Sequence, residues 1–181
     1  PMAALAAEFA ARSIPVKLLT ARWQANWPAE IHYRGVPVVR LPNPQVRLWG
    51  TFRYMQALGR WRRSHRDEYD LVYVSMLKHD AYAALTAVGG DLPVVLRAEG
   101  AGPTGDHHWQ ENARCGRRIR RRCMTADAVV VPSRAIEQEL LHAQYPGARL
   151  HFIPNGIAIP PPRSTATQLA ARNALAATSL T

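Results

Sequence analysis

The stretch from Ala126 to Ile157, ADAVVVPSRAIEQELLHAQYPGARLHFIPNGI, leaves the chain least freedom in what it can become. AVVVP is a short, unbroken run of mostly β-branched residues, the pattern of a parallel strand covered on both faces. Ser133 follows as an N-cap, because its hydroxyl can accept from an orphan first-turn N–H. Glu137 and Glu139 then stand near the positive end of the helix dipole. Ile136, Leu140 and Ala143 recur at i, i+4 and i+7, one apolar stripe to lay on a sheet. Pro146 and Gly147 stop that helix, LHFIP supplies a second strand, and Asn155-Gly156 turns the chain. Strand, helix, strand in so few residues is a βαβ unit, so the rest of the chain is expected to be α/β.

The upstream sequence repeats the theme. PMAALAAEFAARS opens with Met2, Leu5, Ala6 and Phe9 at helical spacing, then IPVKLLT reads as a buried strand. A doubly wound domain normally begins with a strand and a Gly-rich turn, and neither precedes this helix. The expectation is a sheet whose first, central strand is missing. A polar loop with Trp23 and Trp27 leads to IHYRG, an irregular edge, and to VPVVRLP, a strand. Tyr54, Leu58, Trp61 and His65 follow at helical spacing, with Arg53, Arg60 and Arg63 facing away. LVYVSM and PVVLRAE are two further strands, separated by a helix that starts near Asp80 and stops at Gly89-Gly90. VKLLT, LVYVSM, PVVLR, AVVVP and LHFIP are therefore expected in one parallel array. Residues 1–159 read as one Rossmann-like domain. Residues 160–181, rich in Ala, Ser and Thr with little to bury, read as a linker and the truncated start of a second domain.

At 181 residues and 48% hydrophobic content the chain suits one domain with a sizeable core. No apolar run is long enough to cross a bilayer, and no signal peptide opens the chain. Cys115 and Cys123 stand eight apart, without metal spacing, and read as reduced thiols of a cytoplasmic protein. Lys and Arg number 23 against 13 Asp and Glu, a formal charge of +10 that favours acidic partners.

Open parallel sheets bind ligands beyond the carboxyl ends of their strands, which selects a short list of candidates. Arg22 follows the first strand, and Lys78, His79 and Asp80 follow LVYVSM. Arg97 and Glu99 follow PVVL, with Gly100 and then Asp106, His107 and His108 in the next loop. Ser133 follows AVVVP, and Asn155 follows LHFIP. The set is cationic and rich in hydrogen-bonding groups, suited to a phosphorylated or polyhydroxylated ligand. Glu99 is the sharpest catalytic candidate: a carboxylate at a strand's end can act as a base or grip sugar hydroxyls. A structural Arg97–Glu99 pair is the competing reading. His107 can contact an acceptor or be an ordinary loop histidine. Asp106, His107 and His108 are adjacent, without the i, i+4 spacing of a metal site. Gly100-Ala101-Gly102 lacks the remainder of a dinucleotide or P-loop fingerprint. Ser133 lacks the Gly-x-Ser-x-Gly elbow of a hydrolase.

The strand ending ADAVVVPS, its helix, and the strand running FIPNGI together resemble the closing part of the N-terminal domain of family 4 glycosyltransferases. The element order upstream extends the resemblance over roughly residues 1–160. It implies the N-terminal half of a GT-B architecture: a Rossmann-like, doubly wound parallel sheet on the acceptor side of a two-lobed cleft. The activity implied is transfer of a sugar from a nucleotide-sugar donor to a hydroxyl acceptor, with retention of configuration and without an obligate metal or bound cofactor. Most donor contacts would come from a second lobe outside this sequence, so this piece alone is expected to be inactive. The resemblance adds a ligand contact for Ser133 at its helix N-terminus. It matches Asn155-Gly156 to the family's hinge, where Ala158 stands in place of a frequent acidic residue. Many members carry a histidine at the end of the strand where this chain has Glu99.

ARCGRRIRRRC holds six arginines between Arg114 and Arg122 and invites a different reading, a non-catalytic basic module for nucleic acid or anionic membrane. Trp109, Ala113, Gly116, Ile119 and Cys123 fall on one side of a single long helix, which makes the arginines its solvated face. Interleaved exposed aromatics, which nucleic-acid binding favours, are absent from the run. A basic face can hold a peripheral enzyme at the inner face of a membrane, at about 1 kcal/mol per nearby Arg.

Overall fold

The computed structural model describes residues 2–43, 49–156 and 164–178. Two sheets carry the chain. Helix α1 (Met2–Ala11) leads into β1 (Leu18–Arg22), which pairs in parallel with β3 (Val36–Pro42), while β2 (Glu30–Tyr33) pairs antiparallel on the far side of β3. Arg34 and Gly35 join β2 to β3 with φ of 51° and 79°, the left-handed pair that matches a two-residue hairpin to strand twist. The second sheet runs β4 (Val72–Ser75), β5 (Val94–Arg97), β6 (Ala128–Val131) and β7 (Leu150–Phe152), all parallel and in sequence order. Between them come α2 (Gly50–Ser64), α3 (His79–Val88), α4 (Asp106–Asn112), α5 (Gly116–Cys123) and α6 (Arg134–His142); α7 (Thr165–Thr178) follows β7.

The α/β class and the parallel βαβ order are as the sequence predicts, but the single array is not. Four of the five expected strands share a sheet. The fifth, VKLLT, starts later than expected, at Leu18, and belongs to the other sheet. The reason is local: β1 has β3 on one side, and between its other edge and β4 lies a slot of about 620 Å³ with no ladder across it.

The larger core lies around the four-stranded sheet. Leu77, Leu96 and Val131 lose all contact with solvent, and the Ile136, Leu140, Ala143 stripe of α6 is buried as its spacing dictates. Ser133 caps α6 by accepting from the Ile136 N–H at 3.3 Å. α3 ends at Gly89, whose φ of 65° gives the left-handed cap that stops a helix. A smaller core joins Ala21 and Leu41 to Tyr54 and Ala57 of α2.

The single long basic helix expected after PVVLRAE is corrected to two, α4 and α5, broken at Ala113–Cys115. Gly116 shows why the chain must turn there. A Cβ on it would fall 1.9 Å from the Gln110 carbonyl oxygen, so α5 starts pressed against the backbone of α4. The arginines are not all solvated either: Arg122 donates to the Leu85 carbonyl at 2.7 Å, and the Arg118 guanidinium lies 5.5 Å from the Tyr82 ring. Arg114, Arg117 and Arg121 stay exposed. Along α7 every described side chain is exposed, as the Ala-rich tail predicts. Ala158 and the proline run at the expected domain boundary fall outside the described residues.

Candidate functional site

The carboxyl ends of β4 and β5 and the turn after β7 meet at one edge of the parallel sheet. Register places Ser75 beside Arg97, and Asn155 follows β7 by three residues. Arg97 is buried, and its guanidinium donates in two directions, through Nη1 to Glu99 Oε1 and through Nη2 to Asn155 Oδ1. A fork of fixed donors is what lets one arginine orient two acceptors at once. Glu99 Oε1 also accepts from the Ser75 hydroxyl at 2.5 Å. Its Oε2 has no hydrogen bond to a described residue, and about a quarter of the side chain reaches solvent. The result is a partly exposed carboxylate aimed by its neighbours through Oε1.

Behind this group stands Asp106, 2% exposed at the start of α4. Its Oδ2 accepts from the Glu99 backbone N–H at 2.8 Å, and Lys78 Nζ lies 3.9 Å from Oδ1. Burial pushes the Asp106 carboxyl above the usual range, opposed by the Glu99 N–H and by Lys78. The strand-to-helix loop is folded tightly on itself. A Cβ on Gly105 would fall 2.7 Å from the Gly100 oxygen, and the Gly102 N–H donates to Glu139 Oε1 on α6 at 2.6 Å. His79, in the first turn of α3, meets Trp109 edge to face at 4.9 Å. Burial, helped by Lys78, pushes its pKa down, which keeps the ring neutral near pH 7.

The expected site residues therefore divide. Arg97, Glu99, Asn155, Asp106 and Lys78 form one connected group, with Gly100 in the loop beside it and His79 on the neighbouring helix. Arg22 is the last residue of β1, on the other sheet, rather than a loop residue beyond the strand. Ser133 is engaged in capping α6. His107 and His108 lie on α4, not in a loop; His107 Nε2 sits 3.4 Å from Glu111 one turn on, pointing along its own helix.

With this edge in place, the comparison that decides the family is one of sequence. The model of the glycosyl transferase 4-like domain matches residues 2–156, most of the chain. The chain belongs to that family. No curated protein matches it. Among solved structures, a sucrose-phosphate synthase from Thermosynechococcus elongatus superposes with a TM-score of 0.64 at 16% identity, covering 97% of this chain and 91% of that one. A second structure of the same enzyme gives 0.62 at 16% identity, covering 85% of this chain and 41% of that one. This glycosyl transferase 4-like domain thus spans less than half the length of the second. The shared fold is the N-terminal Rossmann-like half of a GT-B glycosyltransferase.

Three residues that serve the edge of this glycosyl transferase 4-like domain escape a reading of sequence. Ser75 is a lone hydroxyl inside an apolar strand. Gln110 is 1% exposed and bonds the Leu77 carbonyl at 2.6 Å and the Tyr145 hydroxyl at 3.0 Å, tying α4 to the ends of β4 and α6. Glu139 reads as a dipole partner for α6 but in fact holds the Gly102 N–H. Ser75 is hinted at by a polar side chain in an otherwise apolar strand; Gln110 and Glu139 sit among other polar residues of their helices and carry no such signal.

Proposed function

We propose that residues 1–159 form the acceptor-side lobe of a retaining glycosyltransferase that moves a sugar from a nucleotide-sugar to a hydroxyl acceptor. Residues 160–181 would link it to a second lobe. The carrying observation is the Arg97 fork: in a domain of this family, it fixes Glu99 and Asn155 at the strand ends where open sheets bind ligands. The second oxygen of Glu99, Oε2, suits an acceptor hydroxyl, either gripping it or drawing off its proton as attack proceeds. Lys78 and neutral His79 border the same edge and suit phosphate or sugar oxygens, with Gly100 and His107 on its rim, Asp106 behind it as the buried support of the Glu99 backbone, and Ser133 at the α6 N-terminus it caps; Arg22 would approach from the other sheet. The chemistry asked of these groups is orientation and charge stabilisation across a closed cleft, which one lobe alone does not supply. The isolated chain is then inactive.

Contact with anionic lipid belongs to the same proposal, carried by the exposed Arg114, Arg117 and Arg121 around α5. Among the described residues no helix is long and apolar enough to cross a membrane.

The test uses the complete gene product with a panel of nucleotide-sugars, following nucleoside diphosphate release and the anomer of the product by NMR. Glu99→Gln and Arg97→Met should each lower kcat/KM by about tenfold or more, from the loss of a charged hydrogen bond. Release from no donor, an inverted product, or full activity in both variants would overturn the reading.

A further inference from the structure

Four non-glycine residues among the described ones have positive φ, and three of them have a local reason. Ser13 and Gln144 close α1 and α6, where Ile14 and Tyr145 bond back to the Phe9 and Leu140 carbonyls at 3.0 and 2.9 Å, the usual left-handed end of a helix. Arg34 turns the β2–β3 hairpin. Met76, at φ 71°, does neither. It lies in the loop between β4 and α3, where a glycine would take up the same backbone without strain. Its surroundings hold it there. The Met76 N–H donates to the Arg97 carbonyl at 2.9 Å. On one side the Ser75 hydroxyl reaches Glu99; on the other Leu77 is sealed in the core, and its carbonyl accepts from Gln110. A strained residue fixed from both sides at a ligand-binding edge points to a use for its side chain.

A single exposed methionine needs no explanation, but this one is held out at a cost to its backbone. Ser75 turns to Glu99 and Leu77 into the core, which leaves Met76 facing out, 43% exposed, one residue from the hydroxyl that steadies Glu99. Across the opening between the sheets stands Trp23, the residue after β1, 61% exposed. Both border that opening at the carboxyl ends of their strands. The edge therefore joins two chemistries. Arg97, Glu99 and Lys78 offer charge, while Met76 and Trp23 offer a thioether and an indole to hydrocarbon. Methionine is unbranched and polarisable, so it moulds to apolar groups of differing shape. A ligand made only of hydroxyls and phosphates would leave both side chains in water. One that carries hydrocarbon beside its hydroxyl would use the whole edge.

We propose that Met76 is a specificity-determining residue: it contacts the acceptor through a hydrocarbon group carried next to the accepting hydroxyl, and so selects amphiphilic acceptors over free sugars. The proposal rests on the acceptor-side reading of this lobe and names the class of acceptor. Met76 takes no part in the chemistry. Its contact is the same in the bound and the reacting states, so it acts on KM and leaves kcat unchanged.

Matched pairs of acceptors test it on the complete gene product, each of a panel of sugars being offered free and as its butyl glycoside against the panel of nucleotide-sugars. The parent should favour the butyl member by about tenfold in kcat/KM. Met76→Gly should bring that ratio within about threefold by raising KM for the butyl member, and Met76→Leu should keep it. The thermal midpoint of Met76→Gly should stay within about 2 °C of the parent, because the lost side chain is half-exposed and the left-handed backbone is relieved. No preference for butyl members in the parent, transfer to no acceptor of the panel, a preference that survives in Met76→Gly, or a midpoint lowered further would each overturn the proposal and leave donor turnover standing. Release of nucleoside diphosphate from no donor would remove both this proposal and the glycosyl transfer it rests on.

Discussion

Gln110→Leu should destabilise the domain by about 2–4 kcal/mol, although it swaps a polar side chain for an apolar one of similar size. Gln110 is 1% exposed and satisfies two buried groups, the Leu77 carbonyl and the Tyr145 hydroxyl. A leucine fills the space but strands both partners, and a buried polar group left unpaired costs about 1–3 kcal/mol. Doubling that range sets the upper bound. Tyr145 keeps its contact with the Cys123 thiol, which lowers it. For a chain of this length the loss corresponds to a midpoint lowered by about 4–16 °C. Urea unfolding followed by circular dichroism measures it directly, as a lower midpoint at unchanged slope. Tyr145→Phe isolates one of the two bonds, and the double variant should be less destabilised than the sum of the single ones by about 0.5 kcal/mol or more, because the partners are in contact. A loss below about 1 kcal/mol for Gln110→Leu, or strict additivity in the cycle, would refute the claim that this side chain ties α4 to β4 and α6.

Gly116→Ala should cost about 3 kcal/mol or more, because the new Cβ meets rigid backbone of α4 rather than a side chain that can swing aside; a thermal melt within 2 °C of the parent would show that the two helices part freely. His79 gives a pH signature. Its folded pKa lies below the ordinary value of 6.5, so the stability it confers is complete above about pH 6.5 and is lost as pH falls toward the folded pKa, where the unfolded chain takes the proton first. Urea midpoints of His79→Phe between pH 7.5 and 5 should fall less steeply than those of the parent, and identical slopes would remove His79 from the account.

Much of this chain was legible from local patterns, and the βαβ unit shows why. A β-branched run, a capping serine, an i, i+4, i+7 stripe and a Pro-Gly stop are each decided within a few residues, and Ser133, Leu140 and Gly89 do in the structure what their neighbours dictate. The break between α4 and α5 was not legible, because Gly116 in a helical pattern looks like a tolerated glycine until another backbone lies against it.

The site divides along the same line. Strand ends named Arg97, Glu99, Asn155 and Lys78 as candidates, since parallel sheets bring such ends to one edge. Which of them touch was decided only by the fold: Arg97 and Asn155 are 58 positions apart, and their contact exists because β5, β6 and β7 lie in register. The hydroxyl of Ser75 and the amide of Gln110 became meaningful in the same way, through partners 24 and 33 residues distant. Sequence alone determined the α/β class and the elements other than the α4–α5 break, because hydrophobic period and capping act between near neighbours. Tertiary structure alone decided the division into two sheets and the wiring of the edge. Hydrogen bonds between distant strands and the packing of helix against helix depend on where the whole chain places them, and no short window of residues contains that information.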